Sequence, residues 1–126
     1  MTGLATPRAL AAIFAGGCAG TLARAGLVEA IHHRAGQWPW QTFAANVLGA
    51  LLLGLFAARL RAPSNGRLFL TTGLCGALTT FSTFQLELLH MLDRHREALA
   101  LGYAAASIAA GFAAIVAGAA LGRRTA

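Results

Sequence analysis

The sequence has few charged residues and no lysine. Only 11% of its 126 residues are charged, whereas about 25% is usual in soluble domains. A small soluble domain has a large surface for its volume and needs polar side chains to cover it. This shortage, together with 57% hydrophobic residues, excludes a soluble globular domain, a disordered chain and a coiled coil. The composition indicates a small integral membrane protein.

All ten basic residues are arginines, and four acidic residues leave a formal net charge of +6. Most of these arginines lie between apolar runs rather than in a stripe, so we interpret them as anchors at the membrane surface and expect no nucleic-acid partner. The two cysteines, Cys18 and Cys75, fall inside apolar runs without metal-ligand spacing. They are interpreted as small buried hydrophobic residues.

Four apolar runs each approach the roughly 20 residues that a helix needs to cross a bilayer. They cover residues 8–31, 42–60, 68–92 and 99–121. Lipid offers no partners to backbone polar groups, so all four runs should be helical. We predict one all-α domain over residues 1–126 with four transmembrane helices.

The arginines between the runs bear on orientation. Three lie on one side of the membrane, at positions 34, 94 and 96, and six lie on the side that would hold both termini, at positions 8, 59, 61, 67, 123 and 124. The excess favours both termini inside, but the difference is small. The chain should therefore be able to insert in both directions.

The third run is unusually polar. Residues 71–87 contain six hydroxyl side chains, Gly73, Gly76 and Glu87. Unwound backbone at membrane depth needs protein or water to receive its polar groups. The pattern therefore predicts a helix broken around these glycines, with a kinked packing helix as the alternative.

Phe81 and Phe84 are three residues apart, so both should face the same way on a helix. Ser82 and Thr83 lie between them, which gives one polar–aromatic patch. The edge of a phenyl ring is electropositive. Ring edges combined with hydroxyl donors could hold an anion, and the alternative is ordinary core packing.

Other polar residues within the runs extend this hypothesis. Asn46 is costly in hydrocarbon unless it is paired, so it either joins helices or donates to an anion. Tyr103 and Ser107 place two hydroxyls on one face of the fourth run. Arg24 is the one arginine deep in a run, and it is either functional, paired with Glu29 or extended to the surface.

Three motifs together carry a resemblance to a known family. They are Gly16-Gly17-Cys18-Ala19-Gly20 with Arg24, Trp38-Pro39-Trp40-Gln41-Thr42 with Asn46 and Gly49, and the highly specific run Gly73-Leu74-Cys75-Gly76-Ala77-Leu78-Thr79-Thr80-Phe81-Ser82-Thr83-Phe84 with Glu87. Over nearly its whole length the chain resembles the fluoride channel family, called Fluc or CrcB. Gln41, Ala77 and Gly111 depart from residues that are frequent in that family.

The resemblance implies a passive, fluoride-selective channel rather than an enzyme, in the inner membrane of a bacterium or another microbe. It implies an antiparallel, dual-topology homodimer in the lipid bilayer, with two fluoride paths beside the subunit interface. The path would be formed by Asn46, Phe81, Ser82, Thr83, Phe84, Tyr103 and Ser107. A central Na⁺ would be held by the backbone carbonyls of Gly76 and Thr79, and Arg24 and Glu87 would be vestibule or structural charges.

Two other functions suit a short apolar chain. A proton-coupled multidrug exporter needs a carboxylate in mid-membrane, and neither Glu29, near the end of the first run, nor Glu87 fits that place well. A non-transporting scaffold protein would use its polar residues for packing alone. No nucleophile and base occur at a recognisable spacing, so the sequence predicts no catalysis.

Overall fold

A computed structural model of the chain describes residues 6–126. Two continuous helices come first, α1 (Pro7–Ala30) and α2 (Trp40–Arg59). The chain then forms α3 (Asn65–Leu68), a π-helical segment (Phe69–Cys75), α4 (Gly76–Leu78), α5 (Phe81–Asp93) and α6 (Glu97–Arg124). Residues 65–93 are called the bent helix below. Across residues 6–126 the fold is all-helical and contains no strand.

Three of the helices are long and apolar enough to cross a membrane. They are α1, α2 and α6, with 24, 20 and 28 residues. Their ends lie within three residues of the bounds expected from the sequence. The bent helix occupies the place of the third apolar run, so the expected interruption of that helix is confirmed.

The interruption lies within the polar segment 71–87, at its two central threonines. Thr79 (φ −78°, ψ 153°) and Thr80 (φ −146°, ψ 119°) are extended, and the helix ends before them and restarts after them. The chain stays helical through Gly73 and Gly76, so the extended backbone begins three residues after the second glycine. Gly73 instead permits close packing, since a Cβ there would meet the backbone of Ile13.

Two helix pairs form the framework. The first joins α1 to the π-helical segment, and the second joins α2 to α6. Small residues allow both approaches: a Cβ at Gly16 would overlap the Phe69 carbonyl, and one at Gly118 would overlap the Leu51 carbonyl. Packing through small residues stabilises helix pairs in lipid, where the hydrophobic effect between helices is absent.

We expect Gly118→Ala to lower the free energy of unfolding by about 1–3 kcal/mol, the usual cost of overpacking. The new methyl group would meet the Leu51 carbonyl on α2. Gly111→Ala is the matched control on the same helix, because open space surrounds its Cα. That control should be neutral or stabilising by up to ~1 kcal/mol through helix propensity. The measurement is denaturant unfolding in detergent micelles, and equal effects of the two substitutions would contradict the expectation.

Candidate anion-binding cleft at the helix bend

Asn46 of α2 satisfies the backbone of Thr80 at the bend. Its Nδ2 donates to the Thr80 carbonyl at 3.1 Å, and its Oδ1 accepts from the Thr80 N–H at 2.7 Å. Extended backbone within a membrane needs such partners. Asn46 therefore joins α2 to the bent helix, which is one of the two roles expected from the sequence. Because a carboxamide carries two N–H donors, one of them remains for a further acceptor.

The threonine hydroxyls bond locally around the bend. Thr80 Oγ1 accepts from the Thr83 N–H at 3.3 Å and so caps the start of α5. It also donates to Thr83 Oγ1 at 3.0 Å and lies 3.5 Å from Ser82 Oγ. Thr79 Oγ1 donates to the Cys75 carbonyl at 3.1 Å. The hydroxyls of Thr79 and Thr80 are thus engaged as donors, whereas Thr83 Oγ1 accepts and keeps its own O–H.

Arg24 brings a positive charge from α1 to the bend. Its Nη1 donates to the Thr79 carbonyl at 3.4 Å. The sequence suggested Glu29 or the membrane surface as its destination, but Arg24 reaches a backbone carbonyl of the bent helix. Intramembrane charges are commonly paired with a backbone carbonyl in this way. Arg24 thus contacts the backbone at the bend, and its role as a vestibule or a structural charge stays a prediction.

A cleft of about 280 Å³ lies beside the bend. The rings of Phe81 and Phe84 stack along it with centroids 6.0 Å apart and planes at 27°, which confirms that the two side chains share a face. Ser107 of α6 contributes a buried hydroxyl that has no hydrogen-bond partner within residues 6–126. The full lining is Asn46, Thr79, Thr80, Phe81, Phe84, Ser107 and Ile108.

A buried carboxylate lies behind the cleft. Glu87 is 6% exposed, and each of its oxygens is paired. Its Oε1 accepts from the Thr42 hydroxyl at 2.6 Å, and its Oε2 accepts from the Tyr103 hydroxyl at 2.7 Å. The Tyr103 ring packs on Phe84 with centroids 5.1 Å apart. Glu87 therefore positions the aromatic ring that continues the cleft.

The structure gathers only part of the predicted path. The residues that line the cleft are Asn46, Phe81, Phe84 and Ser107. Ser82 and Thr83 are exposed on α5 and lie near the Thr80 hydroxyl, while the Tyr103 hydroxyl is engaged by Glu87.

Sequence reasoning missed Thr42 and Thr80 as site residues. Thr42 precedes Asn46 by four residues, so helical spacing places both on one face of α2 and could have identified it. Thr80 has no such signal, because only its backbone contact with Asn46 distinguishes it from neighbouring hydroxyl residues.

Long apolar helices around a polar–aromatic cleft at a helix bend define a small multi-pass membrane protein. Comparison with known families gives a match over residues 11–119 to the profile described as "CrcB-like protein, Camphor Resistance (CrcB)". The chain belongs to this family.

Curated relatives are similar along most of their length. The chain is 51% identical over 112 residues to Fluoride-specific ion channel FluC 1 of Mycolicibacterium paratuberculosis, covering 86% of this chain and 85% of the relative. The protein of the same name from Mycobacterium bovis is 48% identical with the same coverage. Fluoride-specific ion channel FluC of Phenylobacterium zucineum is 41% identical over 123 residues, covering 93% of this chain and 97% of the relative.

We expect Asn46→Leu to destabilise the fold, because the Thr80 N–H and carbonyl would both lose their partner. Each buried group left unpaired costs about 1–3 kcal/mol. Asn46→Asp keeps an acceptor for the Thr80 N–H and should cost less stability than Asn46→Leu. Denaturant unfolding in micelles measures both substitutions. Wild-type stability of Asn46→Leu would mean that the bend does not depend on Asn46.

Proposed function

We propose that the protein is a fluoride-selective channel that lets cytoplasmic fluoride leave the cell passively and so protects the cell from fluoride toxicity. The observation that carries this proposal is the cleft, where the unpaired hydroxyl of Ser107 meets the stacked rings of Phe81 and Phe84. The printed names of the relatives, fluoride-specific ion channels, support the same function.

The donors in the cleft suit a small, strongly hydrated anion. A conducting site must replace the ion's water and still release the ion. The hydroxyl of Ser107 and the second N–H of Asn46 supply hydrogen bonds, while the rings of Phe81 and Phe84 supply electropositive edges. None of these groups carries a full positive charge, so the ion is held by several weak contacts and can move on.

The two alternatives are less consistent with the geometry. A proton-coupled exporter needs a carboxylate that is free to exchange protons, whereas both oxygens of the buried Glu87 accept hydroxyl hydrogen bonds. A scaffold would have no use for the buried Ser107 hydroxyl that is left without a partner in the described part of the chain. Such a group costs stability unless something else binds it.

We expect Phe81→Ile and Phe84→Ile each to reduce fluoride efflux at least tenfold, because isoleucine keeps bulk but loses the positive ring edge. A tenfold loss corresponds to about 1.4 kcal/mol. Phe112→Ile is the matched control, since Phe112 is 72% exposed on α6. The measurement is fluoride release from liposomes containing purified protein. Wild-type release from both folded cleft variants would restore the packing interpretation.

The functional unit is an antiparallel homodimer. In each subunit the bent helix also crosses the membrane, as the third of four transmembrane helices. One subunit leaves the cleft incomplete, because Phe81 is 70% exposed. A second, apolar cleft of about 560 Å³ marks the face of α1 where a partner would fit. Its lining combines small and large apolar residues, which suits helix packing in lipid: Phe14, Gly17, Cys18, Thr21, Leu22 and Ala77.

We expect a cysteine placed beside Arg124 to be labelled from both membrane faces in a background without Cys18 and Cys75. The near balance of arginines between the two sides allows insertion in both directions. The measurement uses a membrane-impermeant thiol reagent on intact cells and on inverted vesicles. Labelling from one face alone would exclude the antiparallel arrangement.

A sodium ion at the dimer axis completes the proposal, and the residues present fit it. A helical carbonyl accepts from the N–H four residues later, but the Thr80 N–H donates to Asn46 and the Thr83 N–H donates to Thr80 Oγ1. The carbonyls of Gly76 and Thr79 are therefore without their helical donors, although Arg24 donates to Thr79. Neutral oxygens of this kind are suitable ligands for a hard cation. Bound there, sodium would supply positive charge between the two paths.

We expect fluoride efflux and dimer stability to fall when sodium is replaced by N-methylglucamine on both sides of the membrane. Four backbone carbonyls, Gly76 and Thr79 from each subunit, would then face each other without a cation. The measurements are efflux from liposomes and the monomer fraction in dilution experiments. Sodium-independent values of both would remove the ion from the proposal.

A further inference from the structure

A second group of unpaired polar atoms lies at the start of α2, outside the cleft. Gln41 is 6% exposed, and its Oε1 has no hydrogen-bond partner among the described residues. The buried Nε1 of Trp38 also lacks one within residues 6–126. The other end of the Gln41 carboxamide, Nε2, contacts Nδ1 of His33 on the loop between α1 and α2. Because unpaired buried polar atoms are destabilising, this arrangement indicates a function beyond packing.

Trp38 continues a row of aromatic side chains that starts at Phe84 in the cleft and passes through Tyr103. The ring of Trp38 packs edge-on against that of Tyr103, with centroids 5.3 Å apart, and the Tyr103 ring packs on Phe84. Gln41 directly precedes Thr42, whose hydroxyl bonds to the same carboxylate as the Tyr103 hydroxyl. Trp38 and Gln41 therefore lie at the end of the row nearest the α1–α2 loop.

The His33–Gln41 contact has two chemically sound forms. When Nδ1 of His33 carries no proton, it accepts from Gln41 Nε2. The Gln41 Oε1 atom then points away from His33, to the side where it has no partner among the described residues. When Nδ1 is protonated it can only donate, so the carboxamide must turn over and present Oε1 to His33. The N–H donors of Gln41 then face the position that Oε1 occupied. Protonation of His33 thus replaces the Gln41 carbonyl oxygen with the Gln41 N–H donors on the side that faces away from His33.

We propose that Trp38 and Gln41 form an outer anion-binding subsite of the fluoride path, and that His33 is a positioning residue that turns the Gln41 donors towards the ion when Nδ1 is protonated. This inference rests on the proposed fluoride conduction. An anion at the subsite accepts from the Trp38 indole N–H and from Gln41 Nε2. With His33 unprotonated, the Gln41 carbonyl repels the ion and slows its passage.

The surroundings of the subsite favour an anion. α2 begins without a side-chain cap, so the N–H groups of its first turn add a positive partial charge. The Arg94 side chain packs over Gly36 of the same loop. The nearest acidic group along the row, Glu87, has both oxygens paired. The charged and titratable side chains on the last turn of α1, the α1–α2 loop, α5, the α5–α6 loop and the first two turns of α6 are Glu29, His32, His33, Arg34, Glu87, His90, Asp93, Arg94, His95, Arg96, Glu97 and Tyr103.

The first test removes the indole donor and keeps the ring. We expect Trp38→Phe to lower the fluoride efflux rate roughly fivefold, the effect of losing one net hydrogen bond. Trp40→Phe is the matched control, since Trp40 lies two residues away and is 57% exposed. It should retain wild-type efflux. Efflux is started with valinomycin from liposomes loaded with potassium fluoride. Wild-type efflux from folded Trp38→Phe would overturn the role of Trp38.

The second test uses the pH profile, which a purely structural role of His33 would not change. Wild-type efflux should rise severalfold from about pH 8 to about pH 5.5, because a proton on Nδ1 of His33 turns the Gln41 donors towards the ion. Protein-free liposomes correct for leakage of hydrogen fluoride. His33→Ala and Gln41→Met should flatten the profile, whereas His32→Ala, at an exposed neighbouring position, should keep it.

The outcomes separate this inference from the function on which it rests. Efflux by the wild type with an unchanged pH profile in His33→Ala overturns the subsite switch and leaves fluoride conduction intact. A wild type that releases no fluoride overturns both. Elution of each variant as a single species in size-exclusion chromatography establishes that it is folded, so that a flux change reports on the subsite.

Discussion

Extended backbone inside a membrane persists only where its polar groups have partners, and the carboxamide of Asn46 provides two of them for Thr80. These bonds tie α2 to the bend, while Arg24 ties α1 to the neighbouring Thr79 carbonyl. The bend is thus held from two helices at once. Since α5 restarts directly after it, the same contacts fix where Phe81 and Phe84 lie.

Packing and polar function are divided between different parts of the chain. Glycine contacts join α1 to the π-helical segment and α2 to α6, where backbones meet almost directly. These pairs leave little room for side chains where they touch, and the cleft lies beside those contacts, lined from α2, the bend, α5 and α6. That separation allows a chain of 126 residues to combine a stable framework with a cleft.

Much of the fold could be predicted, because long apolar runs in a bilayer have few alternatives to helix. The shared face of Phe81 and Phe84 also followed from helical spacing. The polar third run also indicated the region of the bend but not its two residues, since glycine signals both flexibility and close packing, and Gly73 serves the second. Thr80 became the bend residue through Asn46, which lies 34 positions away. Contacts between residues so far apart in the chain leave no local pattern in a sequence. The contact of Arg24 with the Thr79 carbonyl is another example.

The cap formed by Thr80 has a further electrostatic consequence. A continuous helix would carry its positive pole at the membrane surface, where water screens it. The restart at Phe81 instead places the amino-terminal pole of α5 at the cleft, with roughly half an elementary charge. This potential comes from peptide groups alone, so no proton can neutralise it and no counter-ion has to be buried with it. The bend thereby adds the backbone itself to the groups that would attract a negative ion to the cleft in the proposed function.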